Sequence, residues 1–503
     1  MQLSQKRTGL LDYRFSIIRL FYLSVFFSLG ITSDTLAQAQ LGFHLQQSAG
    51  INATVLNPAR TATYPYRWDV NVVGINVFGA NDYSYLEQTN LFRMLQNFPQ
   101  NTNVYGRVDI GEGVKLPADS YVADFFDLGR KGYAVSSMDI MGPSISYKIN
   151  EMHSIGFMSR ARTWAGTQNI PSGLSYYNFY NKPFFEEIPL DPFVLNAMAW
   201  TEIGLNYSLN VPVTNGLVSL GVTVKKLDAY EGVYFQSEKS FNLIKLPNDS
   251  IGGTDFILSG ALTTANLKGG DYEVQSQGGG VGIDLGITYS IDDGDGGYIW
   301  QFGFSLLDVG RVSFSKSAEK HRVVGTQFTS LGADDYSDIS GLEDVTGKIQ
   351  LFSMQALQNP NASLEGNSFS LWLPTALSLQ IDHHFGNGWY TSAVLLQGMP
   401  LNKQSPNRGS LLAAVPRFEK KWYAASLPLS VYNWNLIRVG FAARLGFLTL
   451  GTDDLGSWLI RKNISSGDVY LAVKMPLFKS SSDSGGVKSG KRRKGGGLGC
   501  YKF

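Results

Sequence analysis

The chain has 503 residues, with 42 Lys and Arg against 41 Asp and Glu, and a single cysteine, Cys500. Near-neutral charge removes the electrostatic case for nucleic acid, and one cysteine excludes an internal disulfide and a cysteine-built metal site. Abundant glycine (55) beside 30 Phe, 25 Tyr and 9 Trp suits long β-strands with small residues on one face and aromatic girdles at the ends.

Residues 1–39 read as a secretory signal peptide. Lys6, Arg7, Arg14 and Arg19 precede or flank the apolar run Leu20–Ile31, and Ala37-Gln38-Ala39 fits the small-x-small cleavage pattern. Cleavage there leaves Gln40 first, which is not the Cys of a lipid anchor. It also removes four bases and two acids, so the remainder carries 38 basic and 39 acidic residues. The apolar run is shorter than the roughly 20 residues of a membrane-spanning helix. No later stretch is long enough for one, and an exported chain without helical spans enters a membrane only as a closed barrel.

Residues 40–67 are too irregular for a strand and contain a turn-prone Asn57-Pro58. Two readings stay open: a plug inside a barrel, with Asn57 and Pro58 as candidate plug residues, or a plain linker. Residues 68–478 carry the strand pattern, in candidates Trp68–Gly79, Tyr133–Ile149, His153–Gly166, Ala197–Asn210 and Gly216–Tyr230. Next comes the clearest stretch, in which Val281, Ile283, Leu285, Ile287, Tyr289 and Ile291 alternate with Gly280, Gly282, Asp284, Gly286, Thr288 and Ser290. That is unbroken period-two patterning. Ten steps span roughly 33 Å at about 3.3 Å per residue. Tilted by about 40°, they give an apolar band roughly 25 Å tall, the height of the lipid-facing belt of an outer-membrane barrel. The turn-rich Asp292–Gly297 follows, then Tyr298, Trp300, Phe302, Phe304 and Leu306 on one face. The phase slips at Leu307-Asp308-Val309-Gly310, the mark of a bulge. Ser370–Phe385, Trp389–Pro400, Ser410–Arg417, Trp422–Tyr432, Leu436–Leu445, Phe447–Gly451 and Gly467–Phe478 bring the count to about 14 strands.

The connections alternate. Asn150–Met152, Val211–Asn215, Asp292–Gly297 and Gly386–Gly388 are tight, whereas 80–132, 167–196, 231–279 and 315–369 are long. The pattern predicts an up-and-down transmembrane barrel, all-β, with short periplasmic turns and long extracellular loops. Two loops carry helical spacing: Leu91, Leu95 and Phe98, and Leu342, Val345, Ile349 and Phe352. A third holds the aromatic cluster Tyr176, Tyr177, Phe179, Tyr180, Phe184 and Phe185, read either as girdle packing or as an entry patch for a hydrophobic ligand. Residues 479–503 form a basic Ser/Gly-rich tail with Lys491-Arg492-Arg493-Lys494, predicted to be disordered and periplasmic, and either solvated or touching anionic lipid or a partner.

The face opposite the apolar one carries Arg160, Arg162, Glu202, Lys225, Asp284, Arg438, Arg444 and Lys474. A basic side chain in lipid near the midplane costs roughly 2–4 kcal/mol, so these residues belong in the lumen. Mixed signs suggest either paired charges filling the interior or a polar conduit, and argue against strong ion selectivity. Other chemistry is weak. Gly280-x-Gly282 leads into no helix, so it makes no phosphate loop. Asp292–Gly297 lacks the closing Glu of a calcium loop. His383 and His384 point to opposite faces, poor geometry for one metal. No catalytic, cofactor-binding or metal residue is assigned. A rim hydrolase using loop acids and His321 is the remote alternative.

Several motifs in order resemble a Bacteroidota-type outer-membrane barrel family of unknown function, related in architecture to the FadL and PorV-type barrels. They are Leu56-Asn57-Pro58-Ala59, Gly142–Tyr147, Arg160-Ala161-Arg162, Leu306–Gly310, Leu373-Pro374-Thr375, Arg444–Asp453 and Gly467–Lys474. The resemblance implies a barrel of about 14 strands, a candidate N-terminal hatch, no enzyme activity and no assigned ligand; no cofactor is expected. It implies either a FadL-like channel for hydrophobic or small solutes, or a PorV-like scaffold or shuttle in protein secretion or surface assembly. Its expected partners are outer-membrane lipid, the barrel-insertion machinery and, for the scaffold, a secretion or surface-complex partner, with no nucleic acid. Because the chain runs past its last strand, an insertion signal at Val469–Phe478 would be internal.

Overall fold

The computed structural model describes residues 40–480 except 98–103, 108–109, 111–119, 127–128, 175–181, 249, 269–270, 273, 293–296, 333 and 337–341. The expectations for the leader 1–39, the tail 481–503, Cys500, Phe98 and the aromatic residues 176–180 lie outside the described residues.

Fourteen staves form a closed antiparallel ring. In chain order they are β1 (Tyr66–Asn81), β2 (Gly132–Met141 continued by Ser144–Lys148), β3 (His153–Ile170), β4 (Val194–Val213), β5 (Gly216–Ser237), β6 (Gly278–Asp292) and β7 (Tyr298–Phe314). The other half is β8 (Phe369–Trp372 with Ala376–Gly386), β9 (Trp389–Gly398), β10 (Leu411–Glu419), β11 (Tyr423–Ser426 with Leu429–Tyr432), β12 (Leu436–Val439 with Phe441–Leu445), β13 (Leu448–Thr452) and β14 (Ser466–Ser480). Each stave pairs with the next, and β14 closes on β1, Gly74 opposite Ala472 and Val77 opposite Val469. Closure leaves the wall no unpaired edge, the condition for crossing a bilayer with strands. No described helix is long and apolar enough to cross one.

The alternation sorts faces throughout. On β6, Val281, Ile283, Leu285 and Ile287 are exposed on the outside, while Asp284, Thr288 and Ser290 are buried inside. At the short-turn end aromatic rings crowd together: Trp389 lies 5.0 Å from Phe418, Trp422 6.3 Å from Phe447, and Trp68 4.2 Å from Tyr147. This is the girdle position of an interfacial belt. The turn at Asn387-Gly388 shows why that end is tight. Gly386, Asn387 and Gly388 all take positive φ, the conformation two-residue hairpins require.

Four strands expected to be continuous are interrupted. Tyr133–Ile149 breaks at Gly142-Pro143, Ser370–Phe385 at Leu373-Pro374-Thr375, Trp422–Tyr432 at Leu427-Pro428, and Leu436–Leu445 at Gly440. Proline has no N–H for the ladder. Gly440 answers Pro428 across the wall, donating its N–H to the Pro428 carbonyl at 2.7 Å. The Gly216–Tyr230 strand runs on to Ser237, because its far half pairs with Phe256–Thr263. The long connections hold further β-structure that periodicity missed. One sheet is Glu187–Leu190, Phe241–Leu246, Ser250–Thr254 and Thr329–Gly332; another is Ser84–Thr89, Val104–Gly106, Tyr121–Phe125 and Lys462–Ile464. These strands are short, below the length at which alternation is readable. The two helices fall at Leu91–Asn97 and Leu342–Leu357, the second packing Phe352 on Phe256 at 6.1 Å.

Candidate functional site in the barrel interior

Residues 40–64 run inside the ring. All are buried except the half-buried Gln47, Ser48, Val55 and Thr63. The segment is a chain of short turns, Leu41–His44, Gln47–Val55 and Pro58–Thr61, which leave many backbone groups without intrasegment partners. Wall side chains supply them. Ser305 Oγ and Gln380 Nε2 donate to the Leu56 carbonyl at 2.5 and 2.8 Å, and Asn206 Nδ2 to that of Pro58 at 3.1 Å. Asn210 Nδ2 donates to Ala62 at 3.1 Å, while Ile51 N–H donates to Asp69 Oδ2 at 2.7 Å. Gly50 makes the last contact feasible: its φ is +56°, and a Cβ there would lie 2.1 Å from Asp69 Oδ2. The segment also ties itself together, since Arg60 donates to the carbonyls of His44 and Leu45 at 2.7 and 3.0 Å.

Asn57 and Pro58, both buried, sit in a seat made of absent side chains. A Cβ on Gly221 would fall 2.3 Å from Ala59 N, and one on Gly286 would fall 2.1 Å from Asn57 Oδ1 and 2.7 Å from Pro58. Asn57 caps the turn, its Oδ1 accepting from Ala59 N–H at 3.0 Å while its Nδ2 donates to the wall carbonyl of Ile287 at 3.1 Å.

Toward the long-loop end lies a belt of charge. Arg162 Nη1 meets Glu202 at 2.8 Å and Asp308 at 3.0 Å; Lys225 Nζ meets Asp284 at 2.8 Å and Asp308 at 2.5 Å. Arg160 pairs with Asp139 and, at 3.5 Å, with Glu202, and Arg408 reaches Asp308 at 3.7 Å. Four cations thus face four carboxylates, Asp139, Glu202, Asp284 and Asp308. A second group lies nearer the short turns, where Arg417 bonds Asp382 and Glu419, each at 2.6 Å. Buried charges persist only when paired and hydrogen-bonded, and these are: Trp200 Nε1 donates to Glu202 at 2.7 Å, and Tyr298 OH to Asp382 at 2.6 Å. Arg438 pairs with Asp468 at 2.7 Å. Arg444 donates to Gln46 Oε1 at 3.2 Å and to the Lys420 carbonyl at 2.8 Å. Lys474 holds Asp69 at 2.8 Å and the Ser48 carbonyl at 2.8 Å.

All eight charged residues read from the pattern are therefore buried, and the structure distributes them over separate groups. Arg160, Arg162, Glu202, Lys225 and Asp284 meet in the belt, while Arg438, Arg444 and Lys474 stand apart from it. Asp308, Asp139, Arg408, Arg417, Asp382, Glu419 and Arg60 were missed. The signal for Asp308 was the phase slip. The β6–β7 register jumps between Ile283 and Leu285, Asp308 takes φ +55°, and its N–H donates to Asp284 Oδ1 at 2.7 Å. The bulge turns its carboxylate inward. His44, outside the strands, is held well below the usual histidine range by burial and by the cations Arg160 and Arg60; its Nδ1 has no hydrogen-bond partner.

Above the belt the interior turns apolar, with Phe78, Trp164, Met198, Trp200, Leu227, Phe314, Leu371, Leu396 and Tyr432 in one buried cluster. Between segment and wall, a cavity of 10 Å³ is lined by Leu45, Arg60, Gln301, Gly303, Gln380, Ile381, Asp382 and Ser392, room for about one water. Among the described residues no group of three His, Cys, Asp or Glu is arranged to hold a metal ion. His383 packs on Trp300 at 4.1 Å and His384 on Tyr390 at 4.3 Å, on opposite faces. At the rim His321 lies 3.1 Å from Ser363 Oγ and 3.2 Å from Glu319. Ser363 is only 1% exposed, so its hydroxyl is closed to a substrate, and the grouping is a packed hydrogen-bond relay.

The model of a family of unknown function, DUF5723, matches residues 58–453. No curated protein matches the chain. Among solved structures, the toluene transporter TbuX of Ralstonia pickettii is 10% identical, with 85% of this chain and 94% of that one covered at a TM-score of 0.38. The toluene transporter TodX of Pseudomonas putida is also 10% identical, with 84% and 92% covered at a TM-score of 0.36.

Proposed function

Since the chain belongs to the DUF5723 family, whose function is unknown, and folds as a closed 14-stranded barrel, we propose from its interior that it is a non-enzymatic outer-membrane channel held shut by its own N-terminal segment. The observation that carries this reading is the glycine seat. The wall at Gly221 and Gly286 is hollowed to receive Asn57-Pro58-Ala59, so the closure is the stretch of chain that leads into β1, seated on the wall by non-covalent contacts. Displacing residues 40–64 would leave a passage lined by the charge belt and, above it, by the apolar cluster. That lining suits hydrophobic or small solutes over ions, because the belt is charge-balanced and offers no one-signed field. The outer-membrane location is supported by the apolar outer band with its aromatic end and by the leader-like residues 1–39.

A second reading, a scaffold or shuttle barrel in secretion or surface assembly, is favoured by one observation: residues 40–64 lie inside the ring almost entirely buried. Planar-bilayer recording separates the two. A channel gives a quiet wild type and stable conductance once residues 40–64 are deleted. A scaffold stays silent in both forms and is recovered from detergent-extracted outer membrane with a stoichiometric partner.

A further inference from the structure

One interior charge group sets three carboxylates against a single cation. Asp453, Asp454 and Asp468 are all buried, within a few residues of the ends of β13 and β14, and the cation that reaches them is Arg438. Arg438 contacts Asp468 at 2.7 Å and Asp454 at 4.0 Å. Asp454 is otherwise satisfied by the hydroxyls of Ser457 and Ser466, at 2.7 and 2.6 Å. The Asp453 carboxylate accepts from Tyr470 OH at 3.2 Å and from the backbone N–H of Leu41 at 3.1 Å. None of the described ion pairs includes Asp453. Three buried carboxylates facing one guanidinium is an unstable arrangement. Burial and the neighbouring Asp468 push the Asp453 carboxyl up to about 8, so as it stands the position calls for a cation or a proton.

The residue bonded to Asp453 is the neighbour of Gln40. Gln40 is itself 6% exposed, and its Oε1 has no hydrogen-bond partner. Standard backbone dimensions put the Gln40 nitrogen about 3–4 Å from Leu41 N, the group that Asp453 Oδ2 binds at 3.1 Å. The leader reading places export cleavage at the Ala39–Gln40 bond. Hydrolysis adds one water across that bond, leaving a carboxylate on Ala39 and an ammonium on Gln40.

We infer that the Asp453–Asp454–Asp468 group is a docking site for an α-ammonium, and that its occupant is the chain's own N-terminus, created at Gln40 when residues 1–39 are removed. The inference rests on the leader reading, and it gives processing a structural role. The precursor carries an uncharged amide at this point, and only the cleaved chain brings the countercharge that fastens the start of the inner segment. A main-chain ammonium offers three donors to the carboxylates. Arg60, the one Lys or Arg among residues 40–64, is already committed to the His44 and Leu45 carbonyls.

The test uses the full chain exported to the outer membrane and extracted in detergent. Intact mass first reads the N-terminus. A first residue other than Gln40 overturns the inference through its processing premise and leaves the channel reading standing. A mass lighter by one ammonia, from attack of the α-amine on the Gln40 side-chain amide, overturns it because no ammonium then exists. With a free Gln40 amine, the folded protein is treated at neutral pH with an acetylating reagent, and the α-amine rate is read by peptide mass. The expected result is at least tenfold slower acetylation than in the unfolded chain, lost in Asp453→Asn and in a chain with one alanine inserted ahead of Gln40. Retention of heat-modifiable gel mobility checks that both variants fold. Equal rates in folded and unfolded wild type, or unchanged protection in folded Asp453→Asn, overturn the inference.

Discussion

Gly221→Val is expected to expel the inner segment while leaving the wall intact. The three atoms that a Cβ at 221 would meet are Ala59 N, the Pro58 carbonyl carbon and Ala59 Cα, at 2.3, 2.4 and 2.5 Å. Carbon contacts settle near 3.5–4.0 Å, so the turn must retreat by more than about 1 Å. Because these are backbone atoms, no rotamer change relieves the clash. Retreat breaks the bonds that hold this turn: Ser305 and Gln380 to Leu56, Asn206 to Pro58, and Asn57 to Ile287. At about 0.5–1.5 kcal/mol each, their loss totals about 2–6 kcal/mol, a shift of one to four decades in the docking equilibrium. Valine itself favours the strand conformation at 221, and that position pairs normally with Ser208 and Gly286. The assay is planar-bilayer conductance together with protease sensitivity of residues 40–64 in heat-modifiable, folded protein. Gly366→Val, where a Cβ meets nothing within 4 Å, serves as the control and should behave as wild type. A folded Gly221→Val protein that stays silent and keeps the segment protected would refute the seat argument.

Lys225→Met leaves Asp284 buried without its ion pair and should cost about 3–5 kcal/mol, read as a lower urea midpoint for unfolding from lipid vesicles. Adding Asp284→Asn should recover part of that loss. Acid should loosen the inner segment. The docked pKa of His44 lies below its free value near 6.5, so its contribution to docking is complete above that value. It is lost as pH falls toward the docked pKa, by about 1.4 kcal/mol per unit. Conductance should therefore rise below pH 6.5 in the wild type and lose that dependence in His44→Gln. In the helix Leu342–Leu357, Gly347→Ala meets nothing within 4 Å and should stabilise the helix by about 0.8–1 kcal/mol, slowing proteolysis of that loop.

The wall was legible in the residues because its rule is local. Each strand needs only alternate apolar and polar side chains, and Val281–Ile291 states that rule without its partners. Short turns such as Asn387-Gly388 are equally local, so the alternation of short and long connections, and with it the ring, follows from the order of residues alone. The faces of Arg160, Glu202 and Lys225 followed for the same reason. The breaks at Pro143, Pro374 and Pro428 were also present as letters, although periodicity read through them.

What fills the ring was decided only by the fold, because its contacts join residues that no window spans. Leu41 meets Asp453 across 412 positions, Gln47 meets Glu419 across 372, and Leu56 meets Gln380 across 324. A carboxylate on a polar face carries no sign of which cation stands opposite, and the seat at Gly221 and Gly286 consists of atoms that are not there. Composition and period set the wall, while the identity of the occupant depended on three-dimensional proximity, where the cost of a buried unpaired charge or carbonyl selects one arrangement.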